Sequence, residues 1–308
     1  MNKIPVNIIS GFLGSGKTTA IIHLLNQKCA DEKWAVIINE FGKISIDGQT
    51  LKSSSETGTV FEVSGGCICC SAKGYFHENL NQIIGTGKYQ RIIIEPSGLG
   101  GIDMVLEIVK AKPLVQLMPV ICMVDITSLE NQRLQMNFLY KTQISKADLI
   151  VFSKCDLVSD SELQDRLVMK FKSSFPENSH CLLGLRLHPS LLQMNFQDDR
   201  STNFSQVIFE SKANQTTENY EESDVVAVKE IIFDSQKLMR YFQNHPSIIR
   251  AKGHLLTESG WKLVNYTLSG CIFDTCPEKA QNEIIFISEK TDSGMKNLES
   301  DFEEIFLK

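Results

Sequence analysis

Gly11-Phe12-Leu13-Gly14-Ser15-Gly16-Lys17-Thr18 decides the fold of this chain, because an apolar run (residues 6–10) leads into it and residues 17–26 leave it at helical spacing. The stretch satisfies G-x-x-x-x-G-K-[ST] in full. Its glycines let successive backbone N–H groups turn inward around a phosphate, and a helix N-terminus adds a favourable field for the anion. On this reading Gly11, Gly14, Ser15, Gly16 and Thr19 border the phosphates. Lys17 reaches the β- and γ-phosphates, and the Thr18 hydroxyl ligates Mg²⁺. A glycine-rich turn matching by chance is the bland alternative; the flanking strand and helix argue against it.

Working outward, residues 34–39, 91–95, 119–124 and 149–152 are short, mostly continuous apolar runs. Continuous runs belong to strands buried on both faces, as in a parallel sheet covered by helices. Residues 103–111 and 159–173 carry apolar side chains at helical spacing between them. The expected fold class is α/β: a P-loop NTPase, its mostly parallel sheet flanked by helices, with a small C-terminal α+β domain. The first domain is placed at residues 1–195 and a polar linker at 196–224. The second domain, 225–308, is read as a strand (225–233), a helix (235–244), strands at 248–256, 261–268 and 283–288, and a helix at 298–306.

Composition excludes several classes. With 308 residues, 42% hydrophobic and 22% charged, the chain is an ordinary globular protein. A formal charge of −6 argues against general binding of a nucleic-acid backbone. The longest apolar stretches, such as residues 117–124, fall far short of a membrane span. The opening Met1-Asn2-Lys3-Ile4-Pro5 lacks the apolar core of a signal peptide, so a cytoplasmic location is expected. Of nine cysteines, three lie within four residues, and Cys29, Cys122, Cys155 and Cys181 are read as small buried hydrophobes.

A phosphate loop needs a carboxylate at the end of a neighbouring strand to hold magnesium. Arg91-Ile92-Ile93-Ile94-Glu95-Pro96-Ser97-Gly98 supplies Glu95, and a glycine at 98 lets its amide approach the γ-phosphate. The base is read by Ser153-Lys154-Cys155-Asp156, an S-K-x-D at the end of an apolar strand. Asp156 matches the guanine N1–H and 2-amino donors, and the Lys154 stem lies over the ring. An adenine would leave that carboxylate unpaired, which favours GTP over ATP. Ser153 replaces the usual Asn, with a shorter reach to N7 or to the phosphate loop; this bears on affinity more than on base choice.

Gly65-Gly66-Cys67-Ile68-Cys69-Cys70 is the second strong feature. Thiolates are soft donors, so C-x-C-C favours Zn²⁺, Co²⁺, Cu(I) or iron over Mg²⁺ or Ca²⁺. Two or three cysteines leave a tetrahedral shell incomplete, which suits a metal that must be handed on. A structural half-site or a redox pair is the alternative.

Together, G-F-L-G-S-G-K-T, Asn39-Glu40-Phe41-Gly42, G-G-C-I-C-C, Glu95-Pro96-Ser97-Gly98, S-K-x-D and Arg250-Ala251-Lys252-Gly253 followed by Trp261 resemble the CobW-like GTPases, whose branch includes HypB and UreG. The resemblance runs in order along nearly the whole chain. It implies a SIMIBI-type P-loop domain followed by a small α+β domain, slow GTP hydrolysis, and binding of zinc or cobalt through Cys67, Cys69 and Cys70. It also implies delivery of the metal to an apo-metalloenzyme client and dimerisation dependent on nucleotide or metal. Asp47 is assigned to Mg²⁺ and Glu40 to either metal. Lys43 departs from the acidic residue many relatives carry there, and a His-rich linker is missing. The competing readings are a cobalt-handling factor for cobalamin synthesis and a nucleotide-dependent module that senses metal or redox state without delivering anything. A small-molecule kinase fits worst, having no use for S-K-x-D.

Overall fold

A computed structural model describes residues 3–41, 59–65, 71–98, 101–175, 180–184, 187–194, 220–227, 231–268, 270–289, 302 and 306; for residues 39–41, 59–65, 71–72 and 220–227 this extends to the backbone alone. The chain divides into two compact units, Met1–Thr216 and Thr217–Lys308.

The first unit is built on parallel strands in the order β3-β2-β4-β1-β6-β7-β8. These are β1 (Ile4–Ser10), β2 (Trp34–Phe41), β3 (Thr59–Gly65), β4 (Arg91–Glu95), β6 (Ile121–Asp125), β7 (Leu149–Ser153) and β8 (Cys181–Leu183), with a short β5 (Val115–Leu117) beside β1. All described pairings in this sheet are parallel. Parallel neighbours need crossover connections, and helices supply them. They are α1 (Lys17–Gln27), α2 (Ser71–Thr86), α3 (Ile102–Lys110), α4 (Gln132–Met136), α5 (Phe138–Ser145) and α6 (Ser161–Ser174).

The continuous apolar runs are used on alternate faces. Val6, Ile8, Ala35, Ile37, Ile92 and Ile94 pack with Phe76, Leu80 and Ile83 of α2 and Val105 and Val109 of α3. Ile9, Val36, Ile38, Ile93 and Val151 pack with Ile21, Leu24 and Leu25 of α1 on the other face. Each such side chain contributes about 1.5–3 kcal/mol when fully buried. Cys122 and Cys155 join this interior, as expected, and Cys181 is half-buried, but Cys29 is exposed. It follows α1 at a sheet end, where the chain turns through solvent.

The second unit is an antiparallel sheet, β12-β11-β10-β13-β9, comprising β9 (Tyr220–Ala227), β10 (Ile248–Thr257), β11 (Gly260–Thr267), β12 (Gly270–Thr275) and β13 (Asn282–Glu289). Helix α7 (Ser235–Asn244) is capped by Asp234, which accepts from the Lys237 amide at 2.9 Å. It buries Leu238, Tyr241 and Phe242, spaced three and four apart, against Val264, Ile284, Phe286 and Phe302. Strand β9 starts at Tyr220, inside the stretch read as linker, and ends before Phe233, which makes only an isolated bridge to Thr257. Of the expected helix at 298–306, residues 302 and 306 fall within the described part and are helical.

Candidate nucleotide site

In a parallel sheet all strands end on one edge, and the loops leaving that edge form the site. From β1 the chain turns through the glycine loop, with Gly14 at φ 74° and Gly16 at φ 87°. Gly16 stands at the N-cap of α1 and supplies no side-chain cap. The first-turn amides are thereby left to an incoming anion. Ser15 Oγ is buried without a hydrogen-bond partner among the described residues, which an incoming phosphate oxygen would supply. Lys17 is buried, and its Nζ donates to the Phe12 carbonyl at 3.2 Å. Thr19 is exposed at the mouth of the loop.

Glu95 ends β4 beside this loop, only 5% exposed. The Thr18 hydroxyl lies 3.0 Å from its Oε1 and 3.2 Å from its Oε2. A hard, oxygen-only donor set of this kind fits Mg²⁺. Gly98 packs directly on the loop: a Cβ there would stand 2.9 Å from the Leu13 amide nitrogen.

The S-K-x-D turn leaves β7 at the same edge. Ser153 Oγ donates to the Ser15 carbonyl at 2.7 Å. The shorter side chain therefore does brace the phosphate loop, contrary to its expected lack of reach, because β7 is brought close enough by β6 between it and β1. Lys154 has φ 57°, the one positive value among described non-glycine residues. Its Nζ pairs with Asp125 Oδ2 at 2.6 Å. Asp125 ends β6, and its Oδ1 accepts from the Thr127 amide and hydroxyl at 2.9 and 2.6 Å. Asp156 is exposed in the turn Cys155–Leu157. Beneath the loop, burial pushes the Cys122 thiol up to about 12, against smaller opposing effects of Ser10 and Lys17. It is a packing group at neutral pH.

Two residues join the site that the sequence reading passed over. Asp125 carries the signal that singled out Glu95, an acid closing an apolar strand. Gln143 on α5 carries none. The structure thus gathers Gly11, Gly14, Ser15, Gly16, Lys17, Thr18, Thr19, Glu95, Gly98, Lys154 and Asp156 at one sheet edge. Cys67, Cys69, Cys70 and Asp47 lie outside the described residues, as does the side chain of Glu40.

With this geometry in place, residues 5–180 match the family model described as CobW/HypB/UreG, nucleotide-binding domain. The chain belongs to this family. It is 40% identical over 153 residues to the zinc chaperone YeiR of Escherichia coli, covering 49% of this chain and 46% of YeiR. Identity to the zinc chaperone CobW of Pseudomonas aeruginosa is 31% over 215 residues, covering 56% of this chain and 54% of that protein. The match thus spans about half the length of these curated relatives. Among solved structures, the Zn(II)-bound YjiA GTPase of E. coli aligns over 99% of both chains at 20% identity and a TM-score of 0.44.

Proposed function

We propose that this CobW/HypB/UreG-family protein binds and hydrolyses GTP and uses that cycle to deliver a transition metal, zinc, to an apo-metalloenzyme. The observation that carries the coupling is the register of β2 and β3: Glu40 pairs with Ser64 and Phe41 with Gly65. Strand β3, whose last residue Gly65 precedes the cysteine stretch in sequence, therefore ends beside the strand end that carries Glu40, on the same edge as the phosphate loop and Glu95.

In this reading the loop amides, Ser15 and Lys17 hold the phosphates, and Asp156 and Lys154 read guanine. Thr18, Glu95 and Asp47 would hold Mg²⁺, which when bound would neutralise phosphate charge. Lys17 stabilises the charge that develops as water attacks the γ-phosphorus and GDP departs. Cys67, Cys69 and Cys70 carry the zinc as cargo, with Glu40 near it. The partners are GTP, the metal and the client enzyme, with a second copy joining in a nucleotide- or metal-dependent manner, in the cytoplasm.

Competition with a chromophoric chelator tests this, using Zn²⁺ and Co²⁺ with and without Mg²⁺ and a non-hydrolysable GTP analogue. Affinity is expected to rise with the analogue, and the Co²⁺ form to show thiolate charge-transfer absorption that Cys67→Ser/Cys69→Ser abolishes. Weak metal uptake independent of nucleotide would leave the cysteines as structural or redox groups.

A further inference from the structure

Gln143 lies on α5, 1% exposed, and both ends of its amide are used. The Gly11 amide donates to its Oε1 at 2.6 Å, and its Nε2 donates to the Gly98 carbonyl at 2.6 Å. The orientation is forced, since a flipped amide would set donor against donor and acceptor against acceptor. One side chain thus bonds the first residue of the phosphate loop and the residue three beyond Glu95.

The helix presenting it is held firmly. Asn137 caps α5 by accepting from the Tyr140 amide at 3.1 Å, and the Tyr140 ring meets Phe12 of the loop edge-on at 6.1 Å. A second link between these segments, from the Thr18 hydroxyl to Glu95, uses the oxygens that fit Mg²⁺. That link must yield when the cation enters. The Gln143 bridge uses the Gly11 amide and the Gly98 carbonyl, and leaves the Thr18 hydroxyl and the Glu95 carboxylate to the cation.

We propose that Gln143 is a positioning residue that holds Gly98 against the phosphate loop, so that the Gly98 peptide meets the γ-phosphate and the site distinguishes GTP from GDP. The inference rests on the GTP reading above. Gln143 touches neither nucleotide nor water in this scheme; it acts through Gly98.

Gln143→Glu separates the two bonds. One carboxylate oxygen still accepts from Gly11, while the other faces the Gly98 carbonyl, lone pairs against lone pairs. Protonation restores a donor, and burial brings that protonation towards neutral pH. Gln143→Met keeps the volume and loses both bonds. Affinities for GDP and a non-hydrolysable GTP analogue, with kcat, are measured from pH 6 to 8 alongside the unaltered chain.

Both variants are expected to lose about tenfold or more in kcat and in preference for the analogue over GDP at pH 8, the factor for an unpaired buried carbonyl. GDP affinity is expected to change by less than about threefold, since the loop amides remain. Gln143→Glu, relative to the unaltered chain, should recover towards pH 6. Equal loss of both nucleotides without recovery, or an unchanged preference, would overturn the inference.

Hydrogen exchange of peptides carrying Gly11 and Gly98 reads the bridge without nucleotide, and it decides the matter with the Gln143→Glu profile if Gln143→Met does not fold. Faster exchange in both peptides is expected; unchanged exchange overturns Gln143 alone. An unaltered chain that binds no guanine nucleotide overturns the GTP reading and the role in γ-phosphate discrimination with it.

Discussion

Ser153 supports the phosphate loop from a strand two places away in the sheet. Its hydroxyl proton is committed to the Ser15 carbonyl at 2.7 Å in a buried setting, and Ser15 belongs to the phosphate loop. Ser153→Ala leaves that carbonyl without this donor at a cost of about 1 kcal/mol. Binding of a fluorescent guanine nucleotide is therefore expected to weaken roughly fivefold. GDP and GTP should suffer alike, because the brace acts on the loop's frame and not at the γ-phosphate. A loss confined to GTP would move Ser153 to the γ-phosphate side. At this scale the sequence was informative about placement where type and spacing suffice: Lys17, Thr18, Glu95 and Asp156 stand at one sheet edge, as read. Asp125 and Gln143 act through partners distant in the chain, Lys154 in one case and Gly11 and Gly98 in the other. Such partnerships arise from the order of strands, which no local pattern carries.

Central strands were legible, and edge strands were missed or, as with β9, read only in part. The runs at 6–10, 34–39, 91–95, 119–124 and 149–152 became β1, β2, β4, β6 and β7, all with neighbours on both sides. Among the others, β3 (T-V-F-E-V-S-G) and β8 lie at the two ends of the first sheet, and β12 (G-C-I-F-D-T) and β9 (Y-E-E-S-D-V-V-A) at the two ends of the second. An edge strand need not be apolar throughout, and charge on it discourages pairing with other molecules. That is why the acidic start of β9 reads as linker. The middle of the second sheet imposes the opposite constraint. A Cβ on Gly253 of β10 would stand 2.1 Å from the Glu283 carbonyl oxygen and 2.6 Å from Ile284 Cα in β13. Backbone cannot yield as a side chain does, so Gly253→Ala is expected to destabilise this sheet by about 1–3 kcal/mol. Urea unfolding followed by Trp261 fluorescence measures it. Gly85→Ala, in α2 with nothing within 4 Å of the added methyl, is the control and should be neutral or slightly stabilising. A neutral Gly253→Ala would mean that β10 and β13 separate at little cost.

For the whole molecule, pH offers a test that involves no ligand. His254 sits on β10, half-buried, and burial with the positive charges of Lys279 and Lys252 brings its imidazole down to about 4 from 6.5. In the unfolded chain it protonates near its ordinary value, so between pH 6.5 and 4 the unfolded state binds more protons than the folded one. Stability therefore rises with pH across that window. The neutral ring's contribution is fully present above about pH 6.5, declines as pH falls, and levels off below about 4. Allowing for screening of a partly exposed group, the loss is about 1–3 kcal/mol. Carboxylates also protonate over this range, so the slope of the unaltered chain alone would not identify the imidazole. Comparing it with His254→Gln does, because the carboxylates are common to both. Urea midpoints at pH 7.5, 6, 5 and 4 are expected to fall further for the unaltered chain than for the variant, most of the difference accumulating between pH 6.5 and 4. Parallel curves would mean that His254 takes up its proton equally well in the folded sheet, with Lys252 and Lys279 too well screened to oppose it.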